Sequence, residues 1–169
     1  MGHTNYSAYT PKAENFLSIW PQLRLDAAAI LDLVERTQDI ALAGGAGTGA
    51  PRIDEDAIVF NGLMAADEDY ETFAIELDPE EFEDEQGSTY SFCKTGGIRP
   101  KPYDMAVTAV MLRAHTLSPD CFAIDSNGDW DQEWVQARAI HRMLFGTDPG
   151  MESPFTSPLH TIGPVAARY

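Results

Sequence analysis

The sequence predicts an α+β fold with an N-terminal helical pair, a mostly antiparallel sheet of about four strands with one possible βαβ crossover, and two C-terminal helices packed on it. Three observations carry this expectation. Apolar residues recur at helical spacing in several long stretches. Between them lie short β-branched and aromatic runs bounded by turn residues. The chain of 169 residues, 44% hydrophobic and 22% charged, is also long enough and apolar enough to bury one core without cross-links. The expected organisation is an N-terminal arm over residues 1–9, a single domain over 10–146 with an acidic loop at 78–88, and a Pro-containing tail over 147–169.

In chain order, Thr10-Pro11 is a helix start, and Phe16, Leu17 and Trp20 fall on one face before Pro21 ends or kinks the helix. From about 22 to 43, Leu23, Ala27, Ile30, Val34 and Ala41 mark a second amphipathic helix, with Gly44 as its stop. The glycine-rich run at 44–49 follows a helix, lacks the Lys of a phosphate loop and runs into Pro51, so it reads as a flexible connector. Ala57-Ile58-Val59-Phe60, closed by Asn61-Gly62, is a strand. Residues 71–77 and 89–93 complete the expected meander.

Residues 102 to about 116 give the clearest helix, with Tyr103, Ala106, Val107, Val110, Met111 and Ala114 in one stripe and Pro102 and Asp104 at its start. Cys121-Phe122-Ala123-Ile124 is then a buried strand parallel to the one before, since the connection is long enough for a crossover. A helix capped by Asp129 or Asp131 carries Trp134, Ala137, His141, Leu144 and Phe145 inward and ends at Gly146. The tail to Tyr169 has no periodicity, and it is either draped over the surface or a docking arm.

The formal net charge is −16, and it is unevenly distributed: residues 54–85 hold 14 of the 27 acidic residues and none of the 11 basic ones. Such a chain has no overall positive field for duplex nucleic acid and is repelled by an acidic membrane surface. No apolar run is of signal-peptide or membrane-spanning length, and the expected compartment is the bacterial or phage-infected host cytosol. Three readings of the acidic segment stay open: a solvated edge, a surface imitating nucleic-acid phosphates, or a docking site for another basic partner. The candidate partner-binding residues are Glu80, Glu81, Glu83, Asp84 and Glu85.

A second candidate site is cationic. Lys94, Arg99 and Lys101 gather within eight residues, on a glycine-bearing loop that leads into a helix N-terminus. Positive side chains, unpaired N–H groups and the positive end of a helix dipole together suit a phosphate or carboxylate. With Thr95, Tyr103 and Asp104 they make the candidate anion or ligand set. Alternatively the cations neutralise the neighbouring acidic loop, Tyr103 belongs to the apolar stripe and Asp104 to the helix start. Asn61 and Glu71, on neighbouring strand ends, either share that pocket or serve as turn and solvated strand residues. Cys93 could be an activated thiol, or a buried inert one.

Asp125-Ser126-Asn127-Gly128-Asp129-Trp130 has the wrong residues for an EF-hand and reads as a turn before a helix. The four histidines show no metal spacing. No metal or cofactor is implied.

Phe92-Cys93-Lys94-Thr95, followed by Lys101-Pro102-Tyr103-Asp104 and then Ile124-Asp125-Ser126-Asn127-Gly128-Asp129-Trp130, resembles the pattern of small uncharacterised proteins of actinobacteria and their phages. Phe60-Asn61-Gly62 and Glu71-Thr72-Phe73 also fit, so the resemblance spans about residues 50–145. Five additional residues, 96–100, separate its two halves here. The resemblance implies a phage or prophage origin in a high-GC bacterium and no mechanism. The expected function is therefore a non-enzymatic phage accessory protein that acts by binding, through either an acidic surface on a basic host protein or a cationic loop that sequesters a phosphorylated small molecule. A phosphoester- or nucleotide-processing enzyme using Lys94, Lys101, Tyr103 and Asp104, or a minor virion component, is the alternative.

Overall fold

The computed structural model describes residues 3–79, 87–147, 149–150 and 152–156, which form an α+β fold with three α-helices and two antiparallel sheets. The acidic residues Glu80, Glu81, Glu83, Asp84 and Glu85 lie outside the described residues.

The chain opens in a strand, β1 (His3–Tyr9), where an arm was expected. Its residues alternate between buried and half-buried positions, and the buried set is His3, Asn5, Ser7 and Tyr9. One helix follows, α1 (Glu14–Gln38), in place of the expected pair. Pro21 stands inside it on the exposed face, where the carbonyl that loses its partner can turn to water. Phe16, Trp20, Leu23, Ala27, Ile30 and Val34 continue one buried stripe straight through that position. The helix stops at Asp39, which takes a left-handed conformation with φ of 54°, five residues before Gly44.

The second sheet contains β2 (Leu42–Ala43), β3 (Arg52–Ile53), β4 (Ala57–Gly62) and β5 (Phe73–Glu76). β4 is its centre: β3 and β5 both pair with Ile58 and Val59 and so flank it on opposite edges, while β2 pairs with Asn61 and Gly62. The glycine run between β2 and β3 is closed by its own backbone, Gly44 N–H donating to Thr48 and Gly49 carbonyls and Gly47 N–H to Gly44.

The expected meander breaks after β5. β6 (Thr89–Gly96) leaves for the first sheet and pairs with β1. α2 (Asp104–Leu117), β7 (Phe122–Ser126) and α3 (Val135–Phe145) complete the fold, and the first sheet is ordered β6-β1-β7. β6 and β7 are both antiparallel to β1, so they run in the same direction, as the crossover reading required, with the N-terminal strand inserted between them. α3 begins at Val135, after a run of turns, rather than at Asp129 or Asp131.

The core joins both sheets to the helices. Tyr9 lies 5.2 Å, ring to ring, from both Phe16 of α1 and Phe122 of β7. Its hydroxyl donates to the Glu76 carbonyl at 3.2 Å and accepts the Glu76 N–H at 3.0 Å, tying β1 to β5. α2 is buried at every position from Ala106 to Leu112, packed against α1, α3 and β7. Its Arg113 donates to Asp26 of α1 at 2.7 Å in a largely buried ion pair.

The described part of the tail is docked: Phe155 packs edge-on against Trp134 at 4.9 Å, and Thr156 N–H donates to the Ile124 carbonyl at 2.8 Å. No helix among the described residues is long and apolar enough to cross a membrane.

Candidate functional site at the start of the second helix

The topology brings the C-terminal ends of β6 and β7, the N-terminal end of β1 and the first turn of α2 to one end of the first sheet. In open parallel α/β sheets ligands bind at the carboxyl ends of the strands; β6 and β7 both end here, with the antiparallel β1 between them. This end of the sheet holds a buried polar cluster. Asp104 Oδ1 accepts hydrogen bonds from Asn5 Nδ2 at 2.9 Å and Thr95 Oγ1 at 2.7 Å. His3 Nε2 stands 3.5 Å from the same oxygen. Ser126 Oγ donates to Asn5 Oδ1 at 2.8 Å and accepts Gly128 N–H at 2.9 Å, so β7 fixes the amide that holds the carboxyl.

Asp104 is 5% exposed. Burial pushes its carboxyl above the usual carboxylate range, and the neighbouring Glu133 adds to that rise; His3, Thr95 and Asn5 pull the other way without cancelling it. His3 is also buried, and among the described residues its Nε2 has no hydrogen-bond partner. Gly128 allows this packing, because a Cβ there would lie 2.8 Å from His3 Cε1. Outside the cluster a cavity of about 260 Å³ opens, lined by Asp104, Lys101, Glu133, Gln132 and Gln136, with Met105 and two prolines as apolar walls.

The candidate anion set does not converge on this space as a unit. Thr95 and Tyr103 are fully buried. Thr95 serves Asp104, and the Tyr103 hydroxyl donates to the Glu71 carbonyl at 2.6 Å. Burial raises the Tyr103 phenol well above its ordinary value. Lys94 lies on the opposite side of β6 from Thr95, with its ammonium 5.9 Å from the Tyr70 ring centre. Lys101 Nζ donates to the Asp67 carbonyl at 2.8 Å. Arg99 is exposed on the turn closed by the Gly96–Pro100 bridge. That turn needs its glycine, since a Cβ at Gly96 would lie 2.2 Å from the Arg99 carbonyl.

Glu71 and Asn61 have structural work outside the cavity. Glu71 Oε1 accepts the Lys94 N–H at 2.7 Å, covering the edge of β6. Asn61 clamps Gly45, Gly62 and Tyr70 through its amide. Burial raises the Cys93 thiol to about 12, which leaves it protonated and unreactive. The carboxylates at the end of β7 and just after it hold local N–H groups, Asp125 that of Ser126 and Asp129 that of Asp131, as in a turn before a helix. Among the described residues no group of three His, Cys, Asp or Glu side chains could hold a metal ion.

Sequence reasoning reached Asp104 and Lys101 but passed over His3, Asn5, Ser126 and Glu133. The usable signal was the spacing of His3, Asn5 and Ser7, every second residue of a strand and each with a polar side chain. No protein-family model, curated protein or solved structure significantly matches this chain.

Proposed function

We propose that the protein acts by binding, with its acidic second sheet and the connections around it docking on a basic surface of a partner protein. Segment 54–79 carries nine acidic residues and no basic one, and none of the nine is buried. The short 3₁₀ turn Met64–Ala66 has no buried residue; Met64 is 53% exposed and Tyr70 40%. Exposed methionine and tyrosine ringed by like charge suit a docking patch, where apolar anchors supply affinity and complementary charge supplies approach and specificity.

The observation that favours this reading over sequestration of a phosphorylated small molecule is the use made of the cations. Lys94 leans on Tyr70 and Lys101 on Asp67, so both serve the acidic segment and not a common external anion. Together with the resemblance to phage and actinobacterial proteins, this supports an accessory protein that occupies a basic host protein in the infected cytosol.

The test is retention of host proteins on the immobilised chain. Two variants are compared with wild type, Glu55→Gln/Asp56→Asn/Glu68→Gln/Asp69→Asn and Glu80→Gln/Glu81→Gln/Glu83→Gln/Glu85→Gln. The reading expects a basic partner that is held at low salt, released at high salt and lost in at least one variant.

A further inference from the structure

We propose that the outer edge of β7, together with the tryptophans that lead into α3, forms a docking groove for an extended, aromatic-bearing segment of another protein, and that the chain's own residues 152–156 fill it as a displaceable strap. The groove belongs to the first sheet and not to the acidic second one. Among the described strands β7 pairs with β1 alone, so its other side is a sheet edge. The Asn127 N–H donates to the Thr4 carbonyl. By the alternation of an antiparallel pair, Asp125 and Ala123 then bond to β1, while the backbone of Phe122 and Ile124 faces outward. His115 Nδ1 takes the outward Phe122 carbonyl, and the Thr156 N–H takes that of Ile124 at 2.8 Å.

The strap shows what kind of segment fits. Its backbone donates to the strand edge, and one residue earlier the Phe155 ring stands edge-on to Trp134 at 4.9 Å and to Trp130 at 5.8 Å. Arg138 lies over the Trp130 ring at 4.7 Å and donates to the Gly150 carbonyl at 3.4 Å. This is recognition by strand addition: main-chain hydrogen bonds to an open edge supply affinity, and a side-chain pocket beside it supplies specificity.

The strap fills the groove incompletely. Phe155 is half-buried, and Ser153 and Thr156 are exposed. Beneath it Trp130 and Trp134 are buried, yet Nε1 of each and the buried Nε of Arg138 have no hydrogen-bond partner among the described residues. Buried donors are almost always satisfied, and three in one cluster mark a place where oxygen acceptors are missing. A segment with carbonyl or carboxylate oxygens beside its aromatic residue has the chemistry to supply them and so to compete with the strap.

The probe is a blocked peptide with the sequence of residues 149–156, titrated against the full chain and followed by tryptophan fluorescence, since two of the three tryptophans line the groove. Phe155→Ala vacates the aromatic pocket and should bind the peptide saturably. Wild type, whose own strap competes, should bind it about tenfold more weakly or worse. Two altered peptides should each bind Phe155→Ala at least about fivefold more weakly: one with alanine for the phenylalanine, and one with proline for the final threonine, which removes the N–H that reaches Ile124. If Phe155→Ala does not fold, wild type carries the test: excess peptide must bind it and speed hydrogen exchange at the Thr156 amide as the strap leaves. The proposal is overturned if the peptide binds neither protein, if either altered peptide binds as well as the parent, or if wild type binds as tightly as Phe155→Ala. Sedimentation of wild type should show a monomer; a dimer that Phe155→Ala abolishes would put a second copy's strap in the groove and overturn it too.

Discussion

Lys101 turns away from the start of its own helix and onto Asp67, its Nζ donating to the Asp67 carbonyl at 2.8 Å and standing 3.7 Å from the carboxylate. This contact joins the loop before α2 to the turn that ends the 3₁₀ helix of the acidic segment. The Asp67 side chain is almost fully exposed, so the ionic part is weak, and the bond to the carbonyl matters more. Lys101→Ala should therefore lower the melting temperature by only about 1–4 °C. Calorimetry of the variant beside wild type measures it.

Glu71 protects the β6 edge by accepting the Lys94 N–H through its side chain. Glu71→Gln retains an acceptor oxygen and should leave hydrogen exchange at the Lys94 amide unchanged. Glu71→Ala removes it, and exchange at that amide should speed up while the amides of β1 keep their protection. The comparison is made residue by residue in amide exchange spectra.

The Asp104 carboxyl makes stability depend on pH in the direction opposite to most carboxylates. Its folded-state value is raised above the ordinary 3.8, with burial the main cause. The contribution is fully present below the unfolded value and is lost as pH rises through the folded one. His3 and Glu133 are the titratable groups that act on it. Asp104→Asn has no such loss, so the melting temperature of the variant minus that of wild type should grow as pH rises from about 4 toward neutrality. Melting curves across that range give the sign.

Gly128 and His3 should behave as a coupled pair. Gly128→Ala places a methyl 2.8 Å from the imidazole and should cost about 1–3 kcal/mol in denaturant unfolding. His3→Ala removes the obstacle, so the double variant should be more stable than the sum of the single changes allows.

The two cysteines should differ in reactivity. Cys93 is buried, and its thiol is raised to about 12, whereas Cys121 is half-buried and lines a surface cavity. A thiol reagent should modify Cys121 first and reach Cys93 only on unfolding.

Much of the fold was legible because its cores are apolar: the stripe of α2 and the β-branched runs of β4 and β7 announce themselves. β1 was not, because its buried face reads His3, Asn5, Ser7 and Tyr9, and a hydrophobic pattern cannot flag polar burial. Losing β1 also hid the departure of β6 from the second sheet, since its partner was taken for an arm. Pro21 suggested two helices, but residues 16, 20, 23, 27, 30 and 34 are in phase across it, and that phase was the better evidence. At the site, Asp104 stood out as a helix start; Asn5, Ser126 and His3 come to it across more than twenty residues of sequence and only topology could bring them there.

The most direct test of the binding account is retention of host proteins by the immobilised chain at low and high salt, beside the two charge-neutralised variants. Wild type should retain a basic partner at low salt and release it at high salt, and the partner should be lost when Glu55, Asp56, Glu68 and Asp69, or Glu80, Glu81, Glu83 and Glu85, are neutralised. Retention that is indifferent to salt and equal for wild type and both variants would contradict it.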